Sequence, residues 1–139
     1  LGGRATGFHR RFLHEVHRAL DAKLGVARIG RYYYCPHFPT AEDARYRMDC
    51  QCRKPRPGLI ERACREMDLD PARSFMVGDR WLDVACGRAA GVKTLLVRTG
   101  HGAHEEAHPP DGASADGILN NLMEAGGWIL RGSSPSAER

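Results

Sequence analysis

The chain has 139 residues, 21 Lys+Arg against 17 Asp+Glu and a formal charge of +4, with 42% hydrophobic and 27% charged residues. At that length a globular chain buries roughly two thirds of the surface its unfolded form exposes, so a core can form without disulfide staples. The apolar runs are far shorter than the roughly 20 residues of a membrane span and no leader pattern opens the sequence, which predicts a cytoplasmic protein without membrane contact. The basic residues are dispersed rather than blocked, so the positive balance does not by itself point to nucleic acid. Five cysteines, an odd and clustered set, fit a reducing compartment and metal ligation better than a disulfide framework.

Taken in chain order, Leu1 to Gly7 is a glycine-rich loop. Phe8, Phe12, Val16, Leu20 and Leu24 recur every fourth residue and predict a helix closed at Gly25. Val26 to Cys35, with Ile29 and Tyr32-Tyr33-Tyr34, reads as a strand that delivers Cys35. Pro36 to Pro57 has no apolar period and reads as an irregular excursion held by a metal. Leu59, Ile60, Ala63, Cys64 and Met67 then predict an amphipathic helix after Pro57. Ser74–Val77 and Lys93–Val97 read as buried strands flanking a small-residue helix from Leu82 to Gly91. Thr99 to Ala113 reads as a surface loop, Asp116–Leu119 as an edge strand and Leu122–Leu130 as a last helix. The helix-strand alternation predicts one α/β domain over residues 1–131 with a parallel sheet, followed by a disordered tail at 132–139.

Two constellations carry chemistry. Cys35-Pro36-His37 and Cys50-Gln51-Cys52 bring three thiols and an imidazole into two clips inside a loop spanning 35–57. A closed three-Cys, one-His set leaves no position for a catalytic water, which predicts a structural zinc. The remaining histidines, His9, His14, His17, His101, His104 and His108, read as solvent-exposed, and Cys64 and Cys86 as small buried hydrophobes. The second constellation is Arg53-Lys54-Pro55-Arg56 entering a helix, followed by Gly78-Asp79 past the end of a buried strand and Asp83 one turn later. A helix start with adjacent cations suits an anion, and a carboxylate at a strand's carboxyl end suits Mg²⁺ with phosphate oxygens.

A lysine at a helix start followed by a strand ending in Gly-Asp-x-x-x-Asp resembles the third and fourth motifs of the haloacid dehalogenase-like (HAD) hydrolases. The strings Tyr33-Tyr34-Cys35-Pro36-His37, Cys50-x-Cys52-Arg53-Lys54-Pro55, Met76-Val77-Gly78-Asp79 and Leu96-Val97-Arg98-Thr99-Gly100 narrow the resemblance to the heptose-bisphosphate and histidinol-phosphate phosphatase branch. That resemblance implies a doubly wound, Rossmann-like parallel sheet and Mg²⁺-dependent hydrolysis of a sugar phosphate through an aspartyl-phosphate, by a monomer with no nucleic-acid or membrane partner. It implies that Cys35, His37, Cys50 and Cys52 hold zinc and brace the specificity loop. It implies further that Arg53 and Arg80 contact substrate, that Lys54 neutralises the phosphoryl group, that Asp79 ligates magnesium and that Asp83 supports that arrangement from behind.

The family's first motif, Asp-x-Asp-Gly-Thr, and the Ser/Thr of its second do not occur in these 139 residues. The chain therefore resembles the enzyme without its first strand-helix-strand unit, which predicts a sheet truncated at that end and a chain that binds without turnover. The one Asp-x-Asp present, Asp68-Leu69-Asp70, reads as a helix-ending turn. A second reading from the same residues is a non-catalytic zinc-stabilised module that binds an anion or a partner through Arg53, Lys54, Arg56 and Arg80.

Overall fold

A computed structural model describes residues 10–132. The glycine-rich opening, Phe8, His9 and the predicted tail beyond Gly132 lie outside the described residues. The chain divides into two compact units, Leu1–Arg53 and Lys54–Arg139.

In the first unit, helix α1 spans Arg10–Leu24 and the chain turns out of it at Gly25, whose φ of +63° is a left-handed conformation that glycine adopts without Cβ strain. The helix forms where its period predicted, yet Phe12, Val16 and Leu20 stay exposed. Of the predicted stripe Leu24 is covered, and the rest of the covered side carries Leu13 and His17.

The strand expected over Val26–Cys35 does not form. A strand needs a ladder partner for its N–H and C=O groups, and no other strand exists among the described residues of this unit. The aromatic segment packs on α1 instead. The Tyr32 ring stacks on His17 at a centroid distance of 3.8 Å, and its hydroxyl donates to the Asp21 carboxylate at 2.7 Å. His17 is thus half-buried against tyrosine rather than solvated as its sequence context suggested.

The second unit holds a three-stranded parallel sheet in the order β1-β2-β3, with β1 Phe75–Gly78, β2 Lys93–Val97 and β3 Gly117–Leu119. Phe75 pairs with Lys93 and Gly78 with Leu96, while Leu95 pairs with Gly117 and Val97 with Leu119. Helices α2 (Gly58–Met67), α3 (Trp81–Ala89), α4 (Gly102–Ala107) and α5 (Leu122–Gly132) accompany it.

Strand β2 is the axis of this unit, because alternate side chains feed two cores. Leu96 packs with Trp81 and Val84 of α3, joined by Ala113, Ala115 and Ile118. Leu95 and Val97 pack with Ala125 of α5, joined by Val77, Leu119, Trp128 and Ile129. Helices therefore cover both faces of a parallel sheet: the alternation predicted the parallel sheet, and the doubly wound α/β arrangement is the one the family resemblance implied. Leu95 and Leu96 are fully buried, each contributing about 1.5–3 kcal/mol of transfer free energy.

Helix α4 is an addition to the expectation, since Thr99–Ala113 reads as a loop from its Gly, His and Pro content. Six residues cannot hold a helix by propensity alone. Here long-range bonds hold it: the Trp81 N–H donates to the Glu105 carboxylate at 2.9 Å, and the Trp81 indole N–H donates to the Glu105 carbonyl at 2.7 Å. Gly102 permits the entry, because a Cβ there would fall 1.7 Å from the Val97 carbonyl oxygen.

Candidate functional site

The carboxyl ends of β1 and β2 lie side by side in the parallel register, and the segments leaving them carry Asp79 and the Arg98–His101 turn. This is the edge at which open α/β sheets place ligands. Asp79 does not cap the helix that follows it. Its Oδ2 accepts the backbone N–H of His101 at 2.9 Å, and that bond, outweighing the opposing effect of burial, holds its carboxyl below the usual carboxylate range.

Asp83 is buried on the first turn of α3, 7% exposed. Its Oδ2 accepts the Arg80 N–H at 3.2 Å, supplying a helix cap, while its Oδ1 receives the Lys54 ammonium at 2.6 Å. Lys54 thus stands as an oriented cation with a half-exposed side chain, and Arg80, at the helix N-cap, is exposed beside Asp79 in sequence.

Two glycines make these placements possible. A Cβ on Gly78 would lie 2.3 Å from both Cβ and Oδ2 of Asp83. One on Gly100 would lie 2.2 Å from the Asp79 Oδ2, and Gly100 also has φ +64°. Each carboxylate occupies space that a side chain elsewhere would fill. Sequence reasoning identified Gly78 but assigned no role to Gly100, the His101 N–H or Glu105. The only signal for them was a glycine closely following the end of a buried strand.

Asp68-Leu69-Asp70 lies away from this edge. Asp68 ends α2 in a left-handed conformation with φ 52°, and the Asp70 carboxylate accepts the Ala72 N–H at 2.9 Å in a short 3₁₀ turn before β1. It sits at the amino end of a strand whose carboxyl end leads to Asp79, a separation of roughly 13 Å along β1.

In the first unit, the ligand atoms of Cys35, His37, Cys50 and Cys52 all lie within 4.8 Å of one another, the only such cluster of three or more metal-ligating side chains among the described residues. The sulfurs of Cys35 and Cys50 are 3.4 Å apart, those of Cys52 and Cys35 3.1 Å, those of Cys52 and Cys50 3.1 Å, and His37 Nδ1 is 3.3 Å from the Cys52 sulfur. A disulfide, with a bond of about 2.05 Å, could join only two of three converging sulfurs, and all are free. A tetrahedral zinc with bonds of about 2.3 Å would space them about 3.8 Å apart, so a small expansion of this cage accommodates the ion. Burial raises the Cys50 thiol, but hydrogen bonds from Cys52, Cys35 and His37 outweigh it and bring it down to about 6. Burial and the neighbouring Cys50 push Cys52 up to about 12. Arg53 is tied to this cluster's loop, donating to the His37 carbonyl at 3.0 Å with its guanidinium 4.2 Å from the Phe38 ring centroid.

Comparison with known proteins gives a consistent set. A family described as HAD-hydrolase-like matches residues 51–125. The D-glycero-beta-D-manno-heptose-1,7-bisphosphate 7-phosphatase of Haemophilus ducreyi is 41% identical over 107 residues, 76% of this chain and 56% of that protein. The protein of the same name from Escherichia coli K12 is 39% identical over 105 residues, 75% of this chain and 53% of its own length. Among solved structures, the D,D-heptose 1,7-bisphosphate phosphatase of B. bronchiseptica, complexed with magnesium and phosphate, superposes with a TM-score of 0.74 at 28% identity, covering 91% of this chain and 67% of that one. The chain spans about half the length of the curated relatives it matches.

Proposed function

This chain belongs to the HAD-hydrolase-like family, and from that premise we propose that it carries the phosphate-binding half of a Mg²⁺-dependent phosphatase acting on a D-glycero-D-manno-heptose 1,7-bisphosphate. The observation that carries the reading is the Lys54–Asp83 ion pair at 2.6 Å in the unit that presents Asp79 beyond β1. An oriented ammonium and a carboxylate held below its usual range together fit a phosphoryl group with its counter-ion, and the relatives' substrate is a sugar bisphosphate.

In this reading Asp79 would hold magnesium, which when bound screens the negative charge of the phosphoryl oxygens. The His101 N–H fixes one oxygen of that carboxylate and thereby its orientation. Lys54 contacts the transferring phosphoryl group, aimed by Asp83, and Arg80 binds a second phosphate oxygen as a bidentate fork. An oriented donor of this kind is typically worth roughly 10²–10³ in rate. The four-ligand cluster of Cys35, His37, Cys50 and Cys52 would hold a structural zinc, its donor set closed to water.

Hydrolysis through an aspartyl-phosphate needs a nucleophilic carboxylate facing Asp79, and Asp68 and Asp70 are turned to other work at the opposite end of β1. The 139-residue chain is therefore expected to bind Mg²⁺ and phosphate without releasing phosphate from the bisphosphate. Turnover should appear when the chain is joined to the Asp-x-Asp-bearing amino-terminal segment of the Haemophilus ducreyi relative. Phosphate release by the chain alone, abolished by EDTA, would show that one of its own carboxylates is the nucleophile. Failure of the joined protein to hydrolyse heptose 1,7-bisphosphate while hydrolysing histidinol phosphate would reassign the substrate.

A further inference from the structure

The carboxylate of Asp79 is fixed by a segment that needs support of its own. The His101 N–H that its Oδ2 accepts belongs to the turn joining β2 to α4, and the six residues of α4 do not sustain a helix unaided. Glu105 secures both ends of that bond. Its N–H donates to the His101 carbonyl at 3.0 Å. Its carboxylate accepts the N–H of Trp81, two residues after Asp79, at 2.9 Å, and its carbonyl accepts the Trp81 indole N–H at 2.7 Å. Trp81 opens α3, so its N–H has no acceptor within the helix, and the helix dipole favours a carboxylate there. The start of α4 also rests on the main chain of Asp79, since a Cβ on Gly102 would lie 3.8 Å from the Asp79 carbonyl oxygen. The neighbouring acid does different work: Glu106 accepts from Arg98 Nε at 2.6 Å and Nη2 at 2.8 Å, anchoring α4 to the strand it follows.

We propose that Glu105 is a positioning residue for Asp79, bridging the segment that carries the carboxylate and the segment that carries the His101 N–H. A carboxylate that ligates a metal is commonly oriented by hydrogen bonds from its surroundings, and the partners that supply them govern affinity without touching the ion. Without the Glu105 carboxylate, the start of α3 and the turn before α4 are free to separate, and the His101 N–H leaves Oδ2. The positioning stands on these bonds alone. Its consequence for metal affinity rests on the reading of Asp79 as the magnesium ligand.

The test is amide NMR on the 139-residue protein preloaded with one equivalent of Zn²⁺, with Mn²⁺ as the oxygen-seeking paramagnetic probe. In the wild type the His101 amide should resonate downfield and exchange slowly, and Mn²⁺ should broaden the amides around Asp79. E105A removes the carboxylate and keeps the carbonyl that takes the indole N–H. It should move the His101 amide upfield, speed its exchange on the order of tenfold and weaken Mn²⁺ binding about tenfold or more. E105Q, whose amide oxygen still accepts the Trp81 N–H, should restore all three. W81F, which deletes only the indole donor, should move the amide in the same direction and decides the matter if E105A does not fold. D116A removes two bonds at the opposite end of β2, so it lowers stability and should leave the His101 amide in place. An unmoved His101 amide in E105A and W81F, or an equal movement in D116A, would overturn the proposal. If Mn²⁺ broadens no amide near Asp79 in the wild type while E105A moves His101 as expected, the positioning stands and the magnesium reading of Asp79 falls.

Discussion

Replacing Gly78 with alanine should destabilise the chain by about 1–4 kcal/mol, although the change adds one methyl group to a strand end. The new Cβ would lie 2.3 Å from the Asp83 Cβ and 2.4 Å from its Cγ, where ordinary contacts begin near 3.4 Å. The obstacle is the root of a side chain on a helix, so α3 or β1 must shift by about an ångström. Overpacking of that order costs about 1–3 kcal/mol. The shift also pulls Asp83 from Lys54, and because the lysine side chain is 46% exposed, solvent screening limits that loss to about 1 kcal/mol. Urea unfolding followed by tryptophan fluorescence reads the change, since Trp81 opens α3 and is nearly buried. The double variant G78A/D83A should recover little stability, because alanine at 83 keeps the Cβ that clashes. A G78A protein within about 0.5 kcal/mol of wild type would refute this account of the glycine.

Cys50→Ser should lower bound zinc, measured by atomic emission, from one equivalent toward none, and expose Cys35 and Cys52 to thiol reagents; full retention of zinc would remove Cys50 from the ligand set. Asp116 accepts both the N–H and the hydroxyl of Thr94, bonds that hold its carboxyl below the ordinary range. The folded state thus binds that proton less readily than the unfolded chain, so the bonds' stabilisation is present above about pH 4 and is lost as pH falls through the folded value. D116N should accordingly flatten the acid limb of a stability-pH profile, and an unchanged limb would contradict the assignment. Lys54→Met in the protein joined to its amino-terminal segment should depress kcat by roughly 10²–10³, with a smaller effect on zinc content. A loss confined to KM would make Lys54 a ground-state contact only.

The strands of the second unit and its helices α2, α3 and α5 were legible because their sequence periods coincide with the way they are buried. Leu95, Leu96 and Val97 form a continuous apolar run, as a strand covered on both faces should, and α3 and α5 carry the residues that meet it. Cys35, His37, Cys50 and Cys52 were legible from residue type and spacing alone. The failures share one cause. Val26–Cys35 has strand-forming residues but no strand to pair with among the described residues of its unit, and Tyr32 finds His17 and Asp21 instead. Helix α4 has unfavourable composition but gains partners in Trp81 and Val97 that local sequence does not reveal. The same holds for Asp79, whose restraint comes from a main-chain N–H twenty-two positions away.

The sheet order repeats the chain order, and this bears on how the second unit is assembled. Each strand pairs with the next one in the chain, from Phe75 to Lys93 and from Leu95 to Gly117, and among the described residues no strand is inserted between two earlier ones. Loop closure is therefore short at every step, and its entropic cost is met in instalments rather than all at once. The β1-α3-β2 segment can form as a nucleus before β3 and α5 are in place. Substitutions at its packing positions, such as Val84 or Leu96, should then slow folding, whereas changes at Ala125 should mainly quicken unfolding.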